Sequence, residues 1–177
     1  MKNSILTIAF FVTTLTSSLQ LTAQEFKSLD KSPMDVVAFP SSYKISDKIV
    51  KVIYSRPQLK GRDLVKLAPP EKVWRTGANE AVEITFYKDV IFGGKVLKSG
   101  TYSLFTIPSL KGDWTVIINR ARNVWGSYYY KQDQDVVRVS GKTTKTEENI
   151  EAFSMMFDKD MTLKMGWGKT VISVSIK

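Results

Sequence analysis

Three basic motifs crowd one stretch of the chain: Tyr54-Ser55-Arg56-Pro57, Lys60-Gly61-Arg62 and Trp74-Arg75-Thr76-Gly77-Ala78-Asn79-Glu80. Arginine carries a planar fork of donors that fits a carboxylate, sulfate or phosphate. Trp74 beside Arg75 offers a face for stacking on a sugar or holding a cation. Asn79 and Glu80 have the polar atoms to fix hydroxyls. Arg56, Arg62, Trp74, Arg75, Asn79 and Glu80 therefore read as the wall of a small polar pocket for an anionic or carbohydrate ligand. A structural use competes with this and ranks ahead of it. A long loop needs internal hydrogen bonds to stay ordered, and these side chains are suited to supply them. On that reading Trp74 plugs one end of the core, and Gly61 and Gly77 serve backbone geometry.

A second cluster is aromatic: Asn123-Val124-Trp125-Gly126-Ser127-Tyr128-Tyr129-Tyr130. Exposed, such rings would stack on sugars; the commoner outcome is a loop folded back over the core. Catalysis by paired carboxylates needs two acids held at a fixed separation. Glu80, Glu83 and Asp135 are the candidates, with Glu80 the favoured general acid or base, and no spacing singles out a pair. Asp135 and Arg138 are placed to pair at a strand end.

The chain has neither His nor Cys. That excludes the common zinc and blue-copper sites and the Ser-His-Asp and Cys-His nucleophile systems. No Asp-rich loop has calcium-binding spacing, so no metal and no cofactor is expected. No disulfide can staple the fold, which must stand on ordinary packing.

The elements that must position these residues are strands. Residues 49–54 alternate, with Val50, Val52 and Tyr54 on one face. Residues 55–80 are broken by Pro57, Gly61, Pro69, Pro70 and Gly77. They read as a long ordered loop with one short helical turn, Pro70 at its first position. Val82, Ile84 and Phe86 alternate next. Residues 89–92 and 95–97 meet across Gly93-Gly94, a hairpin signal. Further strands are read at 101–107, at 114–119 with Trp114, Val116 and Ile118 on one side, and at 136–139. Residues 120–134 are irregular and 142–149 a polar connection. The end reads as a three-strand meander over 153–157, 161–167 and 172–176. Roughly nine short strands and no amphipathic helix point to an all-β fold, a two-sheet antiparallel β-sandwich of jelly-roll type, with a closed barrel as the alternative.

Lys2, an apolar stretch over residues 5–21 and small residues at Leu21-Thr22-Ala23 have the three-part pattern of a secretory signal. The uninterrupted apolar core is shorter than the roughly 20 residues of a spanning helix. Residues 1–23 are therefore expected to be removed, with cleavage after Ala23 or Gln24, leaving a periplasmic or secreted protein. Residues 24–46, with Pro33 and Pro40, read as an extended arm and 47–177 as a single β domain. The formal net charge of +9 favours anionic partners. The basic residues are spread out and no recognition helix is present, so nucleic acid is not expected.

The motifs above, with Gly93-Gly94-Lys95, Gly100-Thr101-Tyr102-Ser103-Leu104-Phe105, Trp125-Gly126 and Asp135-Val136-Val137-Arg138-Val139, occur in an order that resembles the domain-of-unknown-function 2911 family. These are small exported proteins common in Bacteroidetes-type bacteria. The resemblance spans about residues 32–176 and is most specific at 74–80. It implies an envelope or secreted location and no activity. Between Arg62 and Pro69 a Phe-Gly pair is usual in the family, where this chain has Leu64-Val65-Lys66. Val82 stands where a Thr is usual.

Three functions fit. The leading one is a non-catalytic binding or interaction domain for an anionic or carbohydrate ligand. The others are a carboxylate-based enzyme using Glu80 and a structural or assembly component of the envelope that makes contact through its aromatic loop. The sequence does not specify an oligomeric state.

Overall fold

A computed structural model describes residues 26–177; the secretory-signal reading of residues 1–23 lies outside them. Among the described residues nine strands form: β1 (Met34–Phe39), β2 (Val50–Ser55), β3 (Val82–Phe86), β4 (Val90–Phe92), β5 (Lys95–Leu97), β6 (Gly100–Ile107), β7 (Trp114–Asn119), β8 (Asp135–Phe157) and β9 (Thr162–Ser175). One helical turn, α1 (Leu64–Leu67), follows β2.

Alternation places the inner face. Val50, Val52 and Tyr54 of β2, Val82, Ile84 and Phe86 of β3, and Trp114, Val116 and Ile118 of β7 are all buried in one core. Seven strands pair antiparallel in the order β1-β2-β3-β6-β7-β8-β9; β4 and β5 make a separate two-stranded sheet. The hairpin between β4 and β5 turns on Gly93 and Gly94, both at positive φ (54° and 87°), as a primed turn requires.

The all-β class is as the alternation indicates. Its layers come from one curled sheet where two sheets were expected. β8 is the reason. Its first part pairs with β7 through Gly141, and from Lys142 onward it pairs with β9. The second half of β8 and β9 thereby fold across the inner face of the other strands. The curl closes on itself: Gln58 bridges Ala152, Phe153 N donates to Pro57 O (2.9 Å), and Leu59 N donates to Glu151 O (3.0 Å). Phe39 and Phe157 meet edge to face across the same seam. Trp74 stacks on Trp167 at 5.4 Å in the middle of this core, with Trp114 and Phe153 edge-on to it.

Several local readings change. The arm over 24–46 contributes β1, which completes one end of the sheet against β2. Residues 142–149, read as a connection, are strand; part of that stretch has backbone partners in β9, and its exposed faces need no apolar residues. The expected terminal meander is a hairpin of two long strands. Leu163, Met165 and Trp167 are core residues at odd positions, and Ile172, Val174 and Ile176 at even ones. Gly168, at φ 58°, is where the alternation is reset, so a single strand keeps both sets inside. The helical turn lies at Leu64–Leu67, ahead of Pro70. Trp74 is extended instead, exchanging backbone hydrogen bonds with Thr106 at 2.7 and 3.0 Å. Among the described residues no helix is long and apolar enough to cross a membrane.

Candidate functional site

The structure separates the six residues singled out as a pocket wall. Arg56 belongs to the seam. Its Nη1 donates to Asp35 Oδ2 of β1 at 3.0 Å, its Nε to the Phe153 carbonyl at 3.1 Å and its Nη2 to Ser154 Oγ at 2.8 Å. Arg62 binds the loop to itself, donating to the carbonyls of Leu59 (2.9 Å) and Gln58 (2.7 Å). Trp74 is 7% exposed and stacked in the core. Arg56 and Arg62 are thus engaged by acceptors within the fold, and Trp74 by the rings of the core.

Arg75, Asn79 and Glu80 go elsewhere, to the outer face of the sheet, where they meet the aromatic loop. Glu80 bridges Trp125. Ala81 N donates to Val124 O and Gly126 N to Asn79 O, each at 2.9 Å. The tight path of the two loops uses positive φ at Thr76, Asn79, Asn123 and Gly126. A second, smaller core lies beneath them: Ala81, Phe105 and Ile117, covered by Val73, Val124 and Tyr130.

Strand register explains what opens next to these loops. Val36, Ile53, Glu83, Ser103, Asn119 and Asp135 are successive cross-strand partners from β1 to β8, so they form one row on the outer face. The Asn119 end of the row is sealed. Asn119 Nδ2 donates to Asp135 Oδ1 (2.8 Å) and to the Lys131 carbonyl (3.0 Å), and its Oδ1 accepts from Ala121 N (2.9 Å). Tyr130 Oη donates to Asp135 Oδ2 at 2.7 Å, and Arg138 Nε lies 3.2 Å from the same oxygen. Burial, then the Asp135 carboxylate, holds the Tyr130 hydroxyl well above the ordinary phenol range. Asp135 is thus committed to the fold, paired with Arg138 as expected and withdrawn from the set of candidate catalytic acids.

The Glu83 end of the row is open. There a cleft of about 170 Å³ is lined by Ile53, Ser55, Glu80, Ala81, Glu83, Ser103 and Asn123, with Met34 and Tyr54. Two carboxylates, an amide and two hydroxyls thus face one small concavity, beside apolar Ile53, Ala81 and Met34. Trp125, paired to Glu80, is 54% exposed, and Tyr128 and Tyr129 are exposed further along the same loop. The loop covers the core through Val124 and Tyr130 and leaves its other rings in water. Sequence reasoning missed Ser55, Ser103 and Ile53 as lining residues. The signal for Glu83 and Ser103 was their shared place on the polar side of alternating strands. Among the described residues no three His, Cys, Asp or Glu side chains gather as a metal site.

Residues 32–176 match the family described as "Protein of unknown function (DUF2911)". The chain belongs to this family. The match begins just ahead of β1 and ends at Ile176, the last core residue, so the seam, the outer-face loops and the cleft all lie within the family's span. The family's description carries no activity. No curated protein and no solved structure matches the chain.

Proposed function

We propose that this member of the family is an exported, non-catalytic domain that binds a carbohydrate in the outer-face cleft. The observation that carries the reading is Trp125: a large ring more than half exposed, fixed through its backbone to Glu80, which itself lines the cleft. An indole held this way offers its face to the C–H face of a sugar ring. Glu80, Glu83, Asn123 and Ser103 supply acceptors and donors for hydroxyls within the same concavity. Export rests on Lys2, the apolar stretch after it and the small residues before Gln24.

The test is a glycan screen with purified protein, followed by titration of the best binder. Trp125→Ala is expected to weaken binding at least about tenfold, as removal of a central aromatic anchor does. Its unfolding free energy should stay within about 0.5 kcal/mol of the parent, as for other exposed positions. A screen with no saturable saccharide, or full affinity in Trp125→Ala, overturns the reading. Protein recovered from the native envelope should begin at Gln24 or Glu25.

The presence of Glu80 and Glu83 in one cleft favours a second reading, acid–base hydrolysis of the same class of ligand. Release of reducing ends by the parent, lost in Glu80→Gln with binding kept, would establish it over simple binding.

A further inference from the structure

Three arginines of the loop and seam regions show what a structural arginine does in this fold. Arg56 makes three side-chain hydrogen bonds, Arg62 two, and Arg138 an ion pair with Asp135. Arg75 does none of this. Its Nε is buried without a hydrogen-bond partner among the described residues, as is that of Arg138, but Arg138 has the Asp135 carboxylate beside it, whereas no carboxylate among the described residues lies within ion-pairing distance of the Arg75 guanidinium. A cation held partly buried without an acceptor is costly. A Cβ on Gly126 would lie 3.1 Å from Arg75 Nη1 and 2.8 Å from the Tyr128 ring, so both groups close on the same point of the backbone, one residue past Trp125.

We propose that the ligand is an acidic saccharide, and that Arg75 pairs with its carboxylate or sulfate. This rests on the carbohydrate reading above and fixes the ligand's class within it. The anion does not sit in the cleft, where Glu80 and Glu83 would repel it. It sits past Trp125, on the side where Arg75 and the exposed Tyr128 converge at Gly126. The ligand is therefore at least two sugar units long. One unit, rich in hydroxyls, stacks on Trp125 and bonds to the cleft; its neighbour carries the charge to Arg75. A guanidinium suits both anions because its fork donates to two oxygens at once. The net charge, +9 over the full sequence and +8 once Lys2 is removed with residues 1–23, steers such a ligand toward the protein.

Affinity measured by calorimetry decides this, using a uronate-containing oligosaccharide, a sulfated one and a neutral one of equal length. The parent protein is expected to bind at least one acidic form about tenfold more tightly than the neutral form at low salt, with the advantage shrinking as salt rises. Uronate against sulfate identifies the anion. Arg75→Gln should collapse the acidic-to-neutral ratio to near one, and Arg75→Lys, keeping charge without the fork, should retain part of it. Equal affinity for acidic and neutral forms in the parent, or an undiminished preference in Arg75→Gln, overturns the inference while leaving Trp125-dependent sugar binding intact. Absence of binding by all three overturns both. Should Arg75→Gln fail to fold, the parent's acidic-to-neutral ratio and the Arg75→Lys titration decide alone.

Discussion

Arg56 reaches across the seam from the end of β2, and its partners come from both ends of the sheet. The ion pair with Asp35 is partly exposed on both sides and contributes little. The hydrogen bonds to the Phe153 carbonyl and Ser154 hold more, because removing Arg56 leaves a half-buried acceptor unmet. Arg56→Ala is expected to cost about 1–3 kcal/mol in urea unfolding. Arg56→Lys should recover less than half of that, since one compact ammonium nitrogen cannot reach acceptors that three separate guanidinium nitrogens serve. Tyr130 gives a prediction in pH. Its folded-state hydroxyl is raised above the ordinary value of 10.0 by burial and by Asp135. The unfolded chain therefore loses this proton first. The contribution is complete below about pH 10 and is lost as pH climbs above it. Thermal melts should fall above pH 10, and Tyr130→Phe should flatten that fall, although raised Tyr54 adds to it. The sequence exposed which residue types were available here, but not which were already engaged. Arg56 is engaged by a carbonyl 97 residues away, and no local pattern reports such a partner. Trp74 and Trp125 look alike in sequence, each beside a basic or small residue in a loop, and the structure buries one and exposes the other.

Strands were legible where a buried face alternated with a less buried one, as in β2 and β3; in β6 and β7 the outer face also carries buried Phe105 and Ile117. Legibility failed where alternation does not decide pairing. The 142–149 stretch is polar on both faces and is strand through its backbone, and the reset at Gly168 makes one strand read as two. Gly141 marks the change of partner in β8, opposite Trp114 of β7 and next to the first β8–β9 pair. A Cβ there would lie 2.5 Å from Ile172 Cγ2 and 2.7 Å from Val116 Cγ2, side chains of the core that cannot both retreat. Gly141→Ala is expected to destabilise by about 1–3 kcal/mol. Chemical denaturation checks it, with a wild-type midpoint as the contradicting result.

At the scale of the molecule, the seam and the outer face divide the labour. The seam uses Arg56, the bridge at Gln58 and the ring pair of Phe39 and Phe157 to close the curled sheet around its tryptophans. The outer face carries a second small core, and over it two loops join at Glu80 and Trp125. The cleft forms there because the row from Val36 to Asp135 is sealed at one end by Asn119 and left open at Glu83. Nothing in the spacing of Glu80 and Glu83 announced this. The cleft depends on β2 and β6 flanking β3, a matter of sheet order and register. The most direct measurement is a ¹⁵N spectrum of the four tryptophan indoles during titration with the best-binding saccharide. The Trp125 resonance should shift with saturation while those of Trp74, Trp114 and Trp167 stay fixed. Movement of the core indoles with Trp125 unmoved would contradict the placement of the ligand on the outer face.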